Sequence, residues 1–206
     1  MPKISKNSEF GRSMIEMLGV LAIIGVLSVG GIAGYSKAMM KYKTNKTIDQ
    51  ISQIMQGIRT AYGSQKSYES ISTGTLKKLH VIPDEMWDGN NIKNAFDGEV
   101  LLTAHRKKTG STNDAVMLQF RDLPREACIE VATYDWGSGS SSGLIGLGVS
   151  DVYCGVAHDS YIGCNGYDNP NGIYACPKGS VYGIPLNVAV ASENCSDSGL
   201  VSFKFY

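Results

Sequence analysis

The longest pattern in the sequence is an apolar run that passes into an amphipathic one. Residues 17–36 are twenty consecutive uncharged and mostly apolar residues, enough at about 1.5 Å per residue to cross a hydrocarbon core of ~30 Å. Beyond them, apolar residues recur at helical spacing at Ile48, Ile51, Ile54, Met55, Ile58 and Tyr62. The other faces carry Lys46, Asp49, Gln50, Gln53 and Arg59. Together these patterns predict one helix from about Ser13 to Tyr62.

Shorter patterns after this helix predict a small antiparallel sheet with short helices. The predicted elements are a short helix around Leu76 that Pro83 halts, a strand within 94–105, its antiparallel partner over 115–121, a helix over 125–133 opened by Pro124, a helix over 185–193 and a strand over 200–206. Residues 137–143 predict a Gly/Ser surface loop, and the Gly-, Tyr-, Asn- and Asp-rich stretch 144–183 predicts turn-rich, irregular structure. The fold class is α+β, with a long N-terminal helix packed on a small antiparallel sheet.

Composition and charge exclude some partners. The chain has 19 basic residues (lysine plus arginine) and 19 acidic ones (aspartate plus glutamate). No overall electrostatic field therefore favours binding to nucleic acid. All five cysteines fall in the last 80 residues, at 128, 154, 164, 176 and 195. Such clustering is typical of an oxidising compartment outside the cytoplasm.

The segment before the apolar run combines a polar leader with one costly carboxylate. Residues 1–11 are short and polar, with Lys3 and Lys6, and end in Gly11. A secretory signal has its apolar stretch before the cleavage site, whereas here it follows. Glu16 sits at the mouth of the apolar run, where an ionised acid loses hydration near lipid. It needs a partner after insertion, and an identical neighbouring subunit can supply one.

The spacing of Gly11 and Glu16 before an uninterrupted apolar run resembles the type IV pilin family. Asn94-Ala-Phe-Asp-Gly and Leu123-Pro-Arg-Glu-Ala-Cys-Ile-Glu-Val-Ala resemble its type IVb subgroup, including thin-pilus major subunits. The resemblance implies cleavage between Gly11 and Arg12 by a prepilin peptidase, N-methylation of the new terminus, and register set by Glu16 against a neighbour's amino terminus. Arg12 departs from the family, which usually has an apolar residue there.

The resemblance also implies a domain organisation and a route. Residues 1–11 would be the leader, 12–35 the transmembrane and assembly helix, 36–62 its amphipathic continuation, and 63–206 the head. The chain would wait in the bacterial inner membrane with a periplasmic head and meet an assembly platform. It would then polymerise with copies of itself into an extracellular pilus that serves adhesion, aggregation or conjugation.

Two disulfides are candidates, one implied by the resemblance and one favoured by the residues between its cysteines. Cys128 and Cys195 bracket the C-terminal region as paired cysteines do in many pilins. Cys164 and Cys176 flank a turn-rich segment that could fold back on itself, which would leave Cys154 free, buried or paired between subunits. Sequence alone does not fix the connectivity of these cysteines.

Glycines inside the apolar run allow two interpretations. Small residues let helix backbones approach closely in lipid, but each glycine also weakens a helix by up to about 1 kcal/mol relative to Ala. Pilins often carry a proline in this segment and this chain has none, so Gly30 and Gly31 are candidates for a point of helix flexibility. Both interpretations stay open.

The sequence predicts no catalytic residue, no metal site and no cofactor. The three histidines, at 80, 105 and 158, lie in no recognisable nucleophile or metal motif. The alternatives to a pilus subunit are a minor pilin or secretion-system pseudopilin with the same leader and helix, and a membrane-anchored adhesin or lectin that never polymerises. An anchored hydrolase is a weaker third alternative.

Overall fold

The computed structural model describes residues 9–65, 67–105, 113–137, 143–150, 172–175 and 184–206. Helix α1 runs without a break over Glu9–Tyr62, starting four residues before the predicted Ser13 and ending at the predicted residue. By contacts the chain divides into two compact units, one ending at Tyr42 and the other beginning at Lys43. The last twenty residues of α1 therefore belong to the same unit as the head.

The second half of α1 supplies one wall of the head's core. All six apolar residues that the pattern marked are buried, and Ile51, Ile54 and Ile58 are fully so. They join a hydrophobic cluster that includes Phe120 and Phe203 of the sheet. The predicted amphipathic stripe is confirmed, and most of the stability of this helical half comes from its packing.

Two polar side chains on the other faces of this half are not fully exposed. Gln50 is buried, and its Nε2 donates to Glu85 Oε1 at 3.5 Å. Arg59 is half-buried. This half of the helix is covered on more than one side, since residues 84–86 pack near Gln50 and Phe205 lies against Arg59.

The segment after α1 is a series of short elements. Helix α2 spans Thr73–Lys78, and the Ser72 side chain caps it by accepting from Thr75 N. The helix is shorter than predicted, because His80 has a positive φ of 51° and turns the chain so that Val81 and Ile82 are buried beyond it. A 3₁₀ turn at Asp84–Met86 then leads to the two-residue strands β1, Trp87–Asp88, and β2, Asn91–Ile92, which pair with each other.

The head is built on a five-stranded antiparallel sheet. Its strands are β3, Val100–His105, β4, Ala115–Leu123, β5, Leu144–Ser150, β6, Gly172–Ala175, and β7, Gly199–Phe205. Their order is β3-β4-β7-β5-β6. The predicted pairing of β3 with β4 is confirmed, with Val100 opposite Phe120 and His105 opposite Ala115. The predicted terminal strand is β7, which lies at the centre of the sheet.

The prediction of irregular structure throughout 144–183 was wrong at two places. Leu144–Ser150 is strand β5, paired with β7, and Gly172–Ala175 is strand β6. Leu144, Leu147 and Val149 are buried. Their apolar side chains favour a strand here, although two glycines alternate with them. Their burial against the core outweighs the weak strand propensity of glycine.

Two helices cover part of the sheet near its Leu123 end. Helix α3 spans Arg125–Thr133 directly after Pro124, as predicted. Helix α4 spans Val188–Asn194 and begins three residues later than predicted, because the Asn187 side chain accepts from Ala189 N and sets the N-cap there. The pairing of the two helices places Cys128 beside Cys195.

Candidate assembly helix and disulfide-bounded region

The apolar half of α1 is an unpaired surface in the isolated chain. From Met14 to Tyr35 the large apolar side chains are each between 52% and 74% exposed. Among the described helices this is the one long and apolar enough to cross a membrane. A water-soluble chain rarely exposes so much contiguous apolar surface. The segment is therefore suited to lipid or to the same segment of other copies.

Glu16 lies at the start of this surface and is itself exposed. Helix α1 holds it in the first turns of the apolar run, and it makes no hydrogen bond or ion pair with another residue that the structure describes. Its neighbours Ile15 and Met17 are 73% and 64% exposed. The carboxylate is thus available to a cation that arrives from outside the chain.

The two residues of the expected cleavage site lie in the first turn of α1. Gly11 and Arg12 are both helical in the uncleaved chain. The Gly30 and Gly31 pair is helical as well, and a Cβ added at either would meet nothing within 4 Å. The helix is thus complete at the glycine pair, and the space around it admits the close approach of another helix. Its proposed flexibility remains a prediction.

Cys128 and Cys195 form the expected disulfide. Their sulfurs are 2.01 Å apart, the Cα atoms are 5.8 Å apart, and the bridge closes a loop of sequence separation 67. Both residues are buried in the core cluster. On the chain-entropy description a loop of this length stabilises the fold by about 4 kcal/mol. The second predicted pair, Cys164 and Cys176, lies outside the described residues, and so does Cys154.

A glycine that the sequence analysis did not single out makes room for this bridge. A Cβ on Gly199, the first residue of β7, would lie 2.9 Å from both Cβ and Sγ of Cys128. It would also lie 3.3 Å from the carbonyl oxygen of Leu123. The start of the central strand therefore packs directly on the disulfide, which couples the bridge to the sheet.

Asn94 and Gly98, within the Asn-Ala-Phe-Asp-Gly motif, form a tight turn before β3. The buried Asn94 side chain accepts from the backbone nitrogens of Phe96 and Gly98 and donates to Arg121 O at 2.7 Å. A Cβ at Gly98 would collide with that same carbonyl oxygen. The motif thus fixes the turn to β4 and has a structural role.

Lys204 is buried in the head and Arg59 of α1 is half-buried, and the sequence predicted neither. Lys204 of β7 is 1% exposed, and burial lowers its pKa while Asp114 partly opposes that shift. Burial also lowers the pKa of Arg59. Side chains alternate between the two faces of a strand, so the sequence of β7 could have indicated that Lys204 points to one face of the sheet. It could not have indicated that this face is covered.

Comparisons with known proteins agree with this geometry. Residues 41–166 match the PilS N-terminal family. The major structural subunit of the bundle-forming pilus of Escherichia coli O127:H6 is 28% identical over 137 residues, covering 66% of this chain and 69% of that protein, and the same protein of E. coli O111:H- matches equally. The crystal structure of TcpA, a type IV pilin from Vibrio cholerae El Tor biotype, superposes with a TM-score of 0.53 at 12% identity, over 80% of this chain and 99% of that one.

Proposed function

Because the chain belongs to the PilS N-terminal family and has the fold of a type IV pilin, we propose that it is a structural subunit of a type IVb pilus. The observation that carries the proposal is the exposed apolar half of α1 with Glu16 at its start. The large apolar side chains of this surface are each more than half exposed, and the same helix continues into the residues that join the core of the head. A subunit anchored in this way can be held in a membrane and then transferred to a filament.

In this proposal the N-terminal segment acts in three steps. A prepilin peptidase cuts after Gly11 and leaves residues 12–35 as the membrane and assembly segment. The subunit waits in the inner membrane with its head in the periplasm, and an assembly platform extracts it. In the filament, apolar packing of residues 14–35 supplies most of the cohesion, while Glu16 neutralises the amino terminus of Arg12 on a neighbour and sets the register.

The role is structural and not catalytic. The related bundle-forming protein is named as a major structural subunit, and the features described here serve packing and covalent stabilisation. Filaments of this subunit would lie outside the cell and serve adhesion, aggregation or conjugation. Copy number in purified filaments distinguishes a major subunit from the alternative, a minor pilin or pseudopilin.

Mass spectrometry of filaments sheared from the cell surface tests the proposal directly. We expect a mature N-terminus at Arg12 in the dominant filament protein, with or without a methyl group. An N-terminus at Met1, or the protein's presence only in membranes under conditions of pilus expression, would instead favour a membrane-anchored binding domain.

Processing is expected to depend on Gly11. Replacing it with glutamate in Gly11→Glu places a bulky charge at the site that the peptidase must accept, so the chain should stay at its precursor mass. The check is the mass of the membrane-bound protein on a gel or by mass spectrometry, with Gly19→Ala as the control, since a Cβ at Gly19 meets nothing within 4 Å. Wild-type maturation of Gly11→Glu would show that the leader is assigned wrongly.

Assembly is expected to depend on Glu16 whereas membrane insertion is not. Glu16→Val removes a costly charge from the apolar run but leaves a neighbour's amino terminus buried without a partner in the filament. Sheared-filament yield should fall by an order of magnitude or more, roughly the effect of a few kcal/mol per contact. Membrane-bound protein should remain at the wild-type level. The control is Glu69→Val, an exposed acid in the head, and equal filament yield from the two variants would contradict the register role.

A further inference from the structure

Arg59 lies on α1 where the helix passes the end of β7. Its guanidinium carbon is 5.6 Å from the centre of the Phe205 ring. A Cβ on Gly143 would lie 3.1 Å from Arg59 Nη2 and 3.3 Å from its central carbon, so the glycine backbone packs directly against the guanidinium. The group thus lies close to both an aromatic ring and a backbone segment.

Two nitrogens of this guanidinium are left without acceptors. Nε and Nη2 are shielded from solvent and have no hydrogen-bond partner within the described ranges. Desolvation is the main effect on the group and lowers its pKa, while Tyr68 and Tyr206 partly oppose the shift. Burying a charged donor without an acceptor is unfavourable, and native structures seldom do it without a reason.

The identity of the two nitrogens indicates what they can bind. Nε–H and Nη2–H lie side by side on one edge of the planar group, and this pair of parallel donors matches the two oxygens of a carboxylate or a similar oxyanion. One helical turn later, the hydroxyl of Tyr62 is also buried and without a partner among the described residues. Residues three apart share a helix face, so this hydroxyl offers a third donor.

We propose that the Nε–Nη2 edge of Arg59, with the Tyr62 hydroxyl, binds an oxyanion group that presents two oxygens. The group is either a free sulfate or phosphate or, on the premise that the chain forms a pilus, the carboxylate of an acidic side chain on a neighbouring copy. Gly143, whose carbonyl oxygen accepts from Tyr206 N at 3.0 Å, lies next to this edge.

Thermal unfolding of the full chain in a nonionic detergent tests the site. Sulfate is titrated against chloride at constant ionic strength, for the wild type, Arg59→Met, Arg59→Lys and the control Arg125→Met, which removes an exposed guanidinium that bonds to Ser192 O. A saturable rise in Tm of about 3 °C at ten times the Kd is expected for the wild type and for Arg125→Met. Arg59→Lys keeps the charge without the paired donors, so it and Arg59→Met should show only the linear salt effect that sulfate has on any protein.

Filament yield identifies the source of the oxyanion. If Arg59→Met folds, forms the Cys128–Cys195 bridge and still yields few filaments, a neighbour's carboxylate is the occupant. If filament yield is normal while the sulfate response is lost, the occupant is a free oxyanion. The proposal is overturned if the wild type shows no saturable response and Arg59→Met assembles normally. Because the titration uses unassembled protein, that result would leave the pilus assignment intact.

Discussion

At the scale of single residues, an exposed carboxylate in the apolar helix contrasts with a buried amide that shapes the head. Glu16 is exposed on an apolar surface, whereas the Asn94 side chain accepts hydrogen bonds from Phe96 N and Gly98 N in a turn of the head. The sequence singles out Glu16 as a candidate for the assembly register because a carboxylate beside an apolar run is unusual, and this role stays a prediction. The sequence could not predict that Lys204 is buried and Arg59 half-buried, because burial depends on which distant segments cover a residue.

The disulfide occupies the space that a side chain at Gly199 would need. Gly199→Ala should place a methyl group 2.9 Å from Cys128 Sγ, so β7 or the bridge must shift, at a cost of about 1–3 kcal/mol. We expect a lower Tm and a higher fraction of free thiol at Cys128 and Cys195, measured by peptide mapping without reduction. The control Gly74→Ala lies in α2 with nothing within 4 Å of the new methyl group. Equal stability of the two variants would show that β7 does not press on the bridge.

At the scale of elements, the sequence predicted those whose pattern is local. The long helix, the β3–β4 hairpin, α3 and β7 follow from periodicity, from alternation and from Pro124. Strand β5 was missed because glycines at 146 and 148 interrupt its alternation, and because it forms by pairing with β7 some 50 residues later. The end of α2 was missed because His80 takes a positive φ, which propensity alone does not indicate.

The packed half of α1 should be sensitive to the size of its buried side chains. Ile54 is fully buried in the core cluster, so Ile54→Ala is expected to lower the free energy of unfolding by about 2–5 kcal/mol. Urea unfolding followed by the fluorescence of Trp87 and Trp136 measures the change. The neighbouring exposed residue provides the control, since Gln53→Ala should stay within about 0.5 kcal/mol of the wild type. A small effect of Ile54→Ala would mean that the helix and sheet do not share one core.

At the scale of the whole molecule, the buried lysine should make stability depend on pH. Burial lowers the folded-state pKa of Lys204 below the 10.5 of an ordinary lysine. Between those two values the unfolded chain binds more protons, so the free energy of unfolding should rise with pH. The rise is about 1.4 kcal/mol for each unit by which the pKa is lowered.

Comparison with Lys204→Met isolates this effect. Urea unfolding at pH 7 and at pH 10 should show a gain of stability in the wild type and in the control Lys78→Met, whose lysine is exposed, but not in Lys204→Met. The raised pKa of Tyr68, which acts with the opposite sign above pH 10, is present in all three and cancels. The same gain in Lys204→Met would show that another group is responsible.

The central position of β7 has a consequence for how the head folds. Strands β3 and β4 pair with each other, as do β5 and β6, but the two pairs meet only through β7, which follows all four in the sequence. Each pair can form early and locally, yet the sheet stays open until the last strand inserts between them. Such late, non-local closure makes folding slow and leaves two unpaired edges exposed in the meantime. A head that lacks β7 is therefore expected to expose strand edges that chaperones and proteases can bind, until β7 inserts.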